Sequence, residues 1–426
     1  MARPLPRLTS AFILATLLLF QGAGCGRDRA SGPLPQEVYV WQRAWTPAVH
    51  DAVAAHAGDF DAVAVLGAEV GWERGRREVA RAEVDWSALT THARAVAVAI
   101  RVGPFDRAAE PHGVAGDALA ALAAELVAEA RADGVSPREL QLDYDSPTSG
   151  LGDYARWVDT VRAAVPDVRI VITSLPTWLD APAFEALAER VDAYVLQVHS
   201  VTRPERVDAI PPLCDPAAAR RWIDRAAEMG RPFRVALPTY GYRLGFDADG
   251  LFLGLTAEAP ARPWPADAQV RDLRADPAAM AGLVRALTAD RPAELTAVAW
   301  YRLPVAGDAL VWSDATFSAV RRGEDVAPDL RLSLVWTEPT LAEVHADNLG
   351  SADAFAPAAV RVKLPAPPLA ADAQGGFTLA DSLTATVFER GPDVRPVAPG
   401  GSLTVGWIRL ATPPKNREDI VVSPSP

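Results

Sequence analysis

Lysine is nearly missing from this chain: of 42 Lys+Arg residues only Lys363 and Lys415 are lysines. With 54 Asp+Glu residues the formal net charge is −12. That balance excludes an electrostatic nucleic-acid binder, which needs a basic face against phosphates. It also excludes a polybasic membrane-surface protein. Cysteine is as scarce. Two residues, Cys25 and Cys214, make neither a disulfide scaffold nor a cysteine-based zinc cluster. The six histidines (His50, His56, His92, His112, His199 and His345) show no HxH or HExxH spacing, so no metal site and no cofactor is expected. The GxSxG turn of a nucleophilic serine is absent. No Gly-rich phosphate loop follows the first β-like run, where Trp41-Gln42-Arg43-Ala44-Trp45 stands instead.

Long apolar runs are missing with one exception. Ala11 to Phe20 follows Arg3 and Arg7, with no acid before it, and leads into Gly22-Ala23-Gly24-Cys25. Ten apolar residues are too few for a permanent span and read as a signal peptide, residues 1–24. Small residues before a cysteine resemble a bacterial lipobox, although Gly22 replaces the usual leucine. That resemblance implies a lipid on Cys25 and a mature chain starting there. Gly26, not aspartate, follows the cysteine, which favours the outer membrane of a two-membrane bacterium. The expected partner is thus a membrane, reached through the anchor. Cys214 is then left as a small packed residue.

Residues 25–36 read as a tether. From Val38 short β-like runs alternate with helical stretches. The runs are Val38–Trp45, Ala62–Leu66, Ala95–Val102, Glu139–Asp145, Arg169–Ser174, Ala193–His199, Phe233–Tyr240 and Leu295–Leu303. Helical patterns include Asp117–Ala132, Asp153–Val165, Ala183–Val191, Pro216–Met229 and Pro277–Thr288, two of them opening on proline. The Arg and Ala bias is read as codon composition, so Ala-rich stretches carry little weight. Eight alternations predict a (β/α)8 TIM barrel over 37–325 rather than a doubly wound open sheet. After Val326 the pattern becomes short alternating runs broken by Pro, Gly and Asp: Leu330–Trp336, Ala342–Asn348, Ala359–Leu364, Leu383–Glu389 and Ser402–Leu410. They predict a small all-β sandwich over 328–412, with 413–426 a loose tail.

Barrel chemistry sits where strands run into their following loops. On the fourth strand Gln141, Asp143 and Asp145 share a face by the two-residue period, while Leu140, Leu142 and Tyr144 face the helices. Two stacked carboxylates repel, which should leave a proton on one. An acid beside an ionised partner is what protonation of a glycosidic oxygen requires. The sixth strand places Gln197 and His199 on one face near its end. The seventh ends at Tyr240. The eighth carries Trp300 and Arg302, and the first Trp41 and Arg43. Aromatics with polar rims at several strand ends form a floor on which sugar rings stack.

These motifs resemble glycoside hydrolase family 18, the chitinase-like barrels. Gln141-Leu142-Asp143-Tyr144-Asp145 resembles its fourth-strand Asp-x-Asp-aromatic-Glu, with Asp145 in the glutamate position and Gln141 in that of the first aspartate. Leu237-Pro238-Thr239-Tyr240-Gly241 resembles its seventh-strand motif and Trp300 its eighth-strand tryptophan. His199 stands where that family has tyrosine. The whole mature chain is similar to a bacterial lipoprotein family, the domain of unknown function 3142, through Tyr39-Val40-Trp41-Gln42-Arg43, the fourth-strand motif and Val405-Gly406-Trp407. The family 18 resemblance implies substrate-assisted cleavage of a 2-acetamido sugar polymer such as peptidoglycan. Asp145 is expected to be the general acid, assisted by Asp143, His199 and Tyr240. Trp41, Arg43, Gln141, Gln197, Trp300 and Arg302 are expected to hold the glycan. A non-catalytic glycan-binding lipoprotein with a degenerate barrel is the alternative, and a structural lipoprotein the third reading.

Overall fold

The computed structural model describes residues 28–73, 75–106, 110–256, 264–380, 385–392 and 394–425. The signal peptide and Cys25 lie outside the described residues. Eight parallel strands close on one another: Gln36–Val40, Ala62–Glu73, Val96–Val102, Glu139–Tyr144, Arg169–Ser174, Ala193–Gln197, Phe233–Pro238 and Leu295–Tyr301. The eighth pairs with the seventh on one side and with the first on the other, Val298 opposite Gln36. This is the expected (β/α)8 barrel. Local chemistry starts its helices as predicted: Asp215 accepts from the amides of Ala217 and Ala218, Asp276 from those of Ala278 and Ala279, each before a proline.

The period of two divides the barrel strands, with register shifts between Leu66 and Ala68 in the second and between Leu295 and Ala297 in the eighth. Val38, Val63, Val98, Leu140, Leu142, Ile170, Leu237 and Trp300 pack outward against the helices. Ala64, Ala97, Ala99, Ala193, Ala236 and Ala299 point inward. Alanines fill little of the interior, and charged arms occupy the rest. Deep in the barrel Arg234 Nη1 lies 2.7 Å from Glu139 and also pairs with Glu37, all three buried. Gln141 donates to Glu139 (2.8 Å) and accepts from the Tyr39 hydroxyl (2.7 Å). Burial, with Glu139 nearby and against the pull of Arg234, pushes the Glu37 carboxyl up. Burial opposes the shift at Glu139, where Arg234 prevails and holds the carboxyl down.

Two features lie outside the predicted alternation. Arg76–Arg81 runs antiparallel to the extended second strand. Between the seventh and eighth strands a three-stranded antiparallel sheet is inserted, with Gly241–Phe246 at its centre and Phe252–Thr256 and Gln269–Arg274 beside it.

Two four-stranded antiparallel sheets follow the barrel. One orders Leu330–Glu338, Leu341–Asn348, Ser402–Arg409 and Ala370–Ala373; the other Phe377–Ala380, Thr386–Arg390, Ala359–Lys363 and Val421–Ser425. Val344, Val360, Val362, Phe388, Val405 and Ile408 form the core between them. Asp353 joins this sandwich to the barrel. It accepts from the Ser313 amide (2.7 Å) and hydroxyl (2.5 Å) at the start of the helix Asp314–Arg321.

The expectation of a loose tail over 413–426 is corrected, because Val421–Ser425 closes a sheet edge. Val421–Ser425 pairs with Ala359–Lys363, and Ile420 is buried in the sandwich core. Replacing Ile420 by alanine should therefore cost about 2–4 kcal/mol of sandwich stability, the usual penalty for a buried aliphatic side chain. Urea denaturation measures it, and an unchanged midpoint would return these residues to the status of a free tail.

Candidate active site

The fourth strand delivers Asp143 and Asp145 to the open end of the barrel, as its alternation predicts. The side chain of Asp143 is 8% exposed and that of Asp145 43%. Their expected mutual repulsion is answered by a cation. Arg101 stands opposite Asp143 on the third strand. Its Nη1 lies 2.7 Å from Asp143 and its Nη2 2.8 Å from Asp145. Asp143 first, then Asp145, raises the affinity of this guanidinium for its proton. From the fifth strand Thr173 donates to Asp143 at 2.7 Å. Asp143 is thus fixed from both sides, while Asp145 has one partner among the described residues and faces the opening.

These groups line a cavity of about 340 Å³ together with Trp41, Gln197, His199, Tyr240 and Tyr301. The Tyr301 ring is the hub of the aromatic wall, 5.2 Å from Trp41, 5.3 Å from Tyr240 and 5.9 Å from His199 between ring centres. Ser200 has φ of 57°, a backbone region side chains seldom adopt, and this turn aims its hydroxyl at Tyr240 (2.8 Å) and Tyr242 (3.0 Å). The Tyr240 hydroxyl lies 3.2 Å from Nδ1 of His199, whose Nε2 is buried without a partner among the described residues. Burial holds the His199 ring neutral, its pKa down to about 3, and pushes the phenols of Tyr240 and Tyr301 up.

A second cavity of about 400 Å³ adjoins the first. Phe105, His112, Tyr144 and Pro147 line it, and Arg101 and Asp145 belong to both. The Arg101–Asp145 pair is therefore the wall between two hollows.

Six of the residues expected at the site meet there: Trp41, Asp143, Asp145, Gln197, His199 and Tyr240. Four lie elsewhere. Gln141 sits below, buried in the Tyr39–Glu139 chain. Arg43 is exposed and pairs with Glu69 at the rim. Trp300 points outward, donates to Gln36 at 2.8 Å and packs on Phe317. Arg302 is buried against Asp308. The eighth-strand reading took the wrong face: Ala299 lies inward beside Ala236, so Tyr301 follows it into the cavity. The sequence Ala97-Val98-Ala99-Ile100-Arg101 carries the same signal for Arg101, an inward face of two alanines ending in a cation.

Among known families, residues 111–306 match a domain of unknown function, DUF3142. The matched residues lie within the barrel. Residues 334–411, in the sandwich, match another domain of unknown function, DUF8456. No curated protein matches the chain. Similar solved structures include the spore cortex-lytic enzyme SleL of Bacillus megaterium, 13% identical with a TM-score of 0.46 over 64% of this chain and 71% of that one. A chitinase of Chromobacterium violaceum is 14% identical, with a TM-score of 0.45 over 68% and 98%. A chitinase of Bacteroides thetaiotaomicron is 10% identical, with a TM-score of 0.44 over 64% and 90%. The chemistry of this barrel is read from its own residues.

The buried imidazole gives a pH test of this geometry. The unfolded chain protonates His199 near 6.5, while the folded chain resists protonation down to about 3. Acidification below 6.5 therefore favours unfolding, because the unfolded state takes up the extra proton. From pH 7 to pH 5 the wild type should lose about 2 kcal/mol more stability than His199→Gln. Urea titrations at the two pH values measure the difference; equal losses would mean that the ring is hydrated.

Proposed function

We propose that the DUF3142 barrel is a glycoside hydrolase acting on a bacterial polysaccharide or peptidoglycan-type glycan, with Asp145 as general acid. One observation carries this reading: Asp145 lies in the wall shared by two adjoining cavities. A glycan lying across both would bring the bond between two sugars to Asp145. Stacking on Trp41 and Tyr301 suits the apolar faces of the sugars. The neutral His199 has Nε2 available to a hydroxyl or an amide. Asp143, held by Arg101 and Thr173, is the positioning group. For proton donation the substrate has to draw Nη2 of Arg101 off Asp145 while Nη1 stays on Asp143.

The same ion pair favours a second reading. An Asp145 that keeps Arg101 is an acceptor, and the barrel then binds a glycan without cutting it. Reducing-end release from peptidoglycan, chitin oligomers and bacterial exopolysaccharides separates the two. Under the first reading wild type releases ends from one of them, and Asp145→Asn loses about 10²-fold or more of that rate while still binding. Retention on a glycan without release by wild type supports the second reading. Neither release nor retention overturns both.

We also infer that the barrel is anchored at the cell envelope, in the outer membrane, through a lipid on Cys25. The apolar run Ala11–Phe20 and the small residues before the cysteine support this. Cys25→Ser should shift the protein from the detergent phase to the aqueous phase in a Triton X-114 partition. A variant that stays with the detergent would rule out this anchor.

A further inference from the structure

The inserted sheet has two faces with different company. On its central strand Tyr242 borders the barrel cavity, while Arg243 and Gly245 face away. The neighbouring strand sets Asp272 opposite Arg243, with Arg274 two residues on and on the same face. Gly245 is bare because Trp264 lies on it: a Cβ there would meet the indole at 2.4 Å. The sandwich contributes Phe355 and Arg390 from across the gap, and the cleft measures about 910 Å³.

Its charge is the unusual feature. In a chain of net charge −12 this cleft is lined by four arginines, 243, 271, 274 and 390, against one described carboxylate. Asp272 is shared by Arg243 (3.2 Å) and Arg274 (3.1 Å). The contacts of Arg271 and Arg390 are to backbone carbonyls, of Val270 and Ala356, and neither has an acidic partner among the described residues. Nε of Arg274 and Nε1 of Trp264 are buried donors with no acceptor among the described residues. Among the described residues the wall thus holds donors and positive charge in excess, with aromatic faces beside them. The Arg274 guanidinium lies 4.9 Å from the Phe355 ring centre.

We propose that this cleft is a second glycan site, specific for sugars that carry carboxylates. The guanidiniums match carboxylates as paired donors, and Trp264 and Phe355 offer faces for the rings. A cleft between two domains suits a polymer chain and does not meet a flat lipid surface. The polymer backbone of this ligand rests on the glycan reading of the barrel; the anion selectivity rests on the cleft alone. A bound acidic glycan would touch both barrel and sandwich, and so would present the same polymer to the cavity on the other face of the inserted sheet.

The test is calorimetric titration of the purified full chain in detergent with trigalacturonic acid, with neutral chitotriose and acetate as controls. Wild type should bind the acidic trisaccharide. Arg271→Glu and Phe355→Ala, both at exposed positions, should each weaken that binding tenfold or more, with unchanged thermal melts. Asp145→Asn should bind it as wild type does, whether or not the barrel hydrolyses any glycan. The proposal fails if the acidic trisaccharide does not bind, if chitotriose binds as well, or if acetate competes at equal concentration. It fails also if Asp145→Asn removes the binding, which would put the acidic sugar in the barrel. Sedimentation with phosphatidylglycerol vesicles that is lost in Arg271→Glu would overturn it in favour of a lipid surface.

Discussion

The arrangement of the site depends on one guanidinium between two carboxylates. Arg101 reaches Asp143 and Asp145 from the adjacent strand, and without it two acids two residues apart on one strand face would confront each other at the barrel mouth. The contact also separates their roles. Asp143 has a second donor in Thr173 and little exposure, so it is fixed; among the described residues Asp145 has Arg101 alone, and an open side. An ion pair with one partner at a cavity edge can be exchanged for a ligand at little cost, because water or a sugar hydroxyl can replace what is lost. A buried pair cannot, since the charge left behind would be uncompensated. The barrel interior shows both kinds: Arg234 deep inside, closed on Glu37 and Glu139, and Arg101 at the mouth.

What lets two arginine arms enter a barrel is the alanine content of its inner face. The interior of eight strands is normally filled by branched side chains in layers. Here alanines on the second, third, sixth, seventh and eighth strands leave that volume open. Polar arms fill it below, in the Tyr39–Gln141–Glu139–Arg234 chain, and the open cavity occupies it above. The aromatic wall follows from the same geometry. Tyr301 lies next after Ala299 on the inner face, and Trp41 next after Tyr39.

The fold was legible because periodicity needs no side-chain detail: eight β-like runs with helices between them have few solutions. The fourth-strand acids were legible for the same reason, through alternation of Leu140, Leu142 and Tyr144 with Gln141, Asp143 and Asp145. Two things were not. Alanine, discounted as compositional bias, marks the inner face, and discounting it put Trp300 and Arg302 on the wrong side of the eighth strand. Arg101 was invisible in the third strand because its meaning lies in a cross-strand partner, Asp143, 42 residues later. The tail strand Val421–Ser425 was hidden in the same way, its apolar pair too short to stand out until Ala359–Lys363 lies beside it.

The inserted sheet is the third consequence of a strand's two-faced character. Gly241–Phe246 turns Tyr242 to the barrel cavity, where its hydroxyl meets Tyr240 at 2.8 Å, and turns Arg243 to the interdomain cleft. Leu244 and Phe246, fully buried, hold the strand rigid between the two. A shift of this strand by one residue would exchange the faces and bring an arginine to the aromatic wall. Register is pinned by the Arg243–Asp272 pair and by Trp264 on Gly245, so the element that separates the cavity from the cleft is itself held in place by residues of the cleft. A chain of contacts thus runs from the cleft through this strand to Tyr242, Tyr240 and His199.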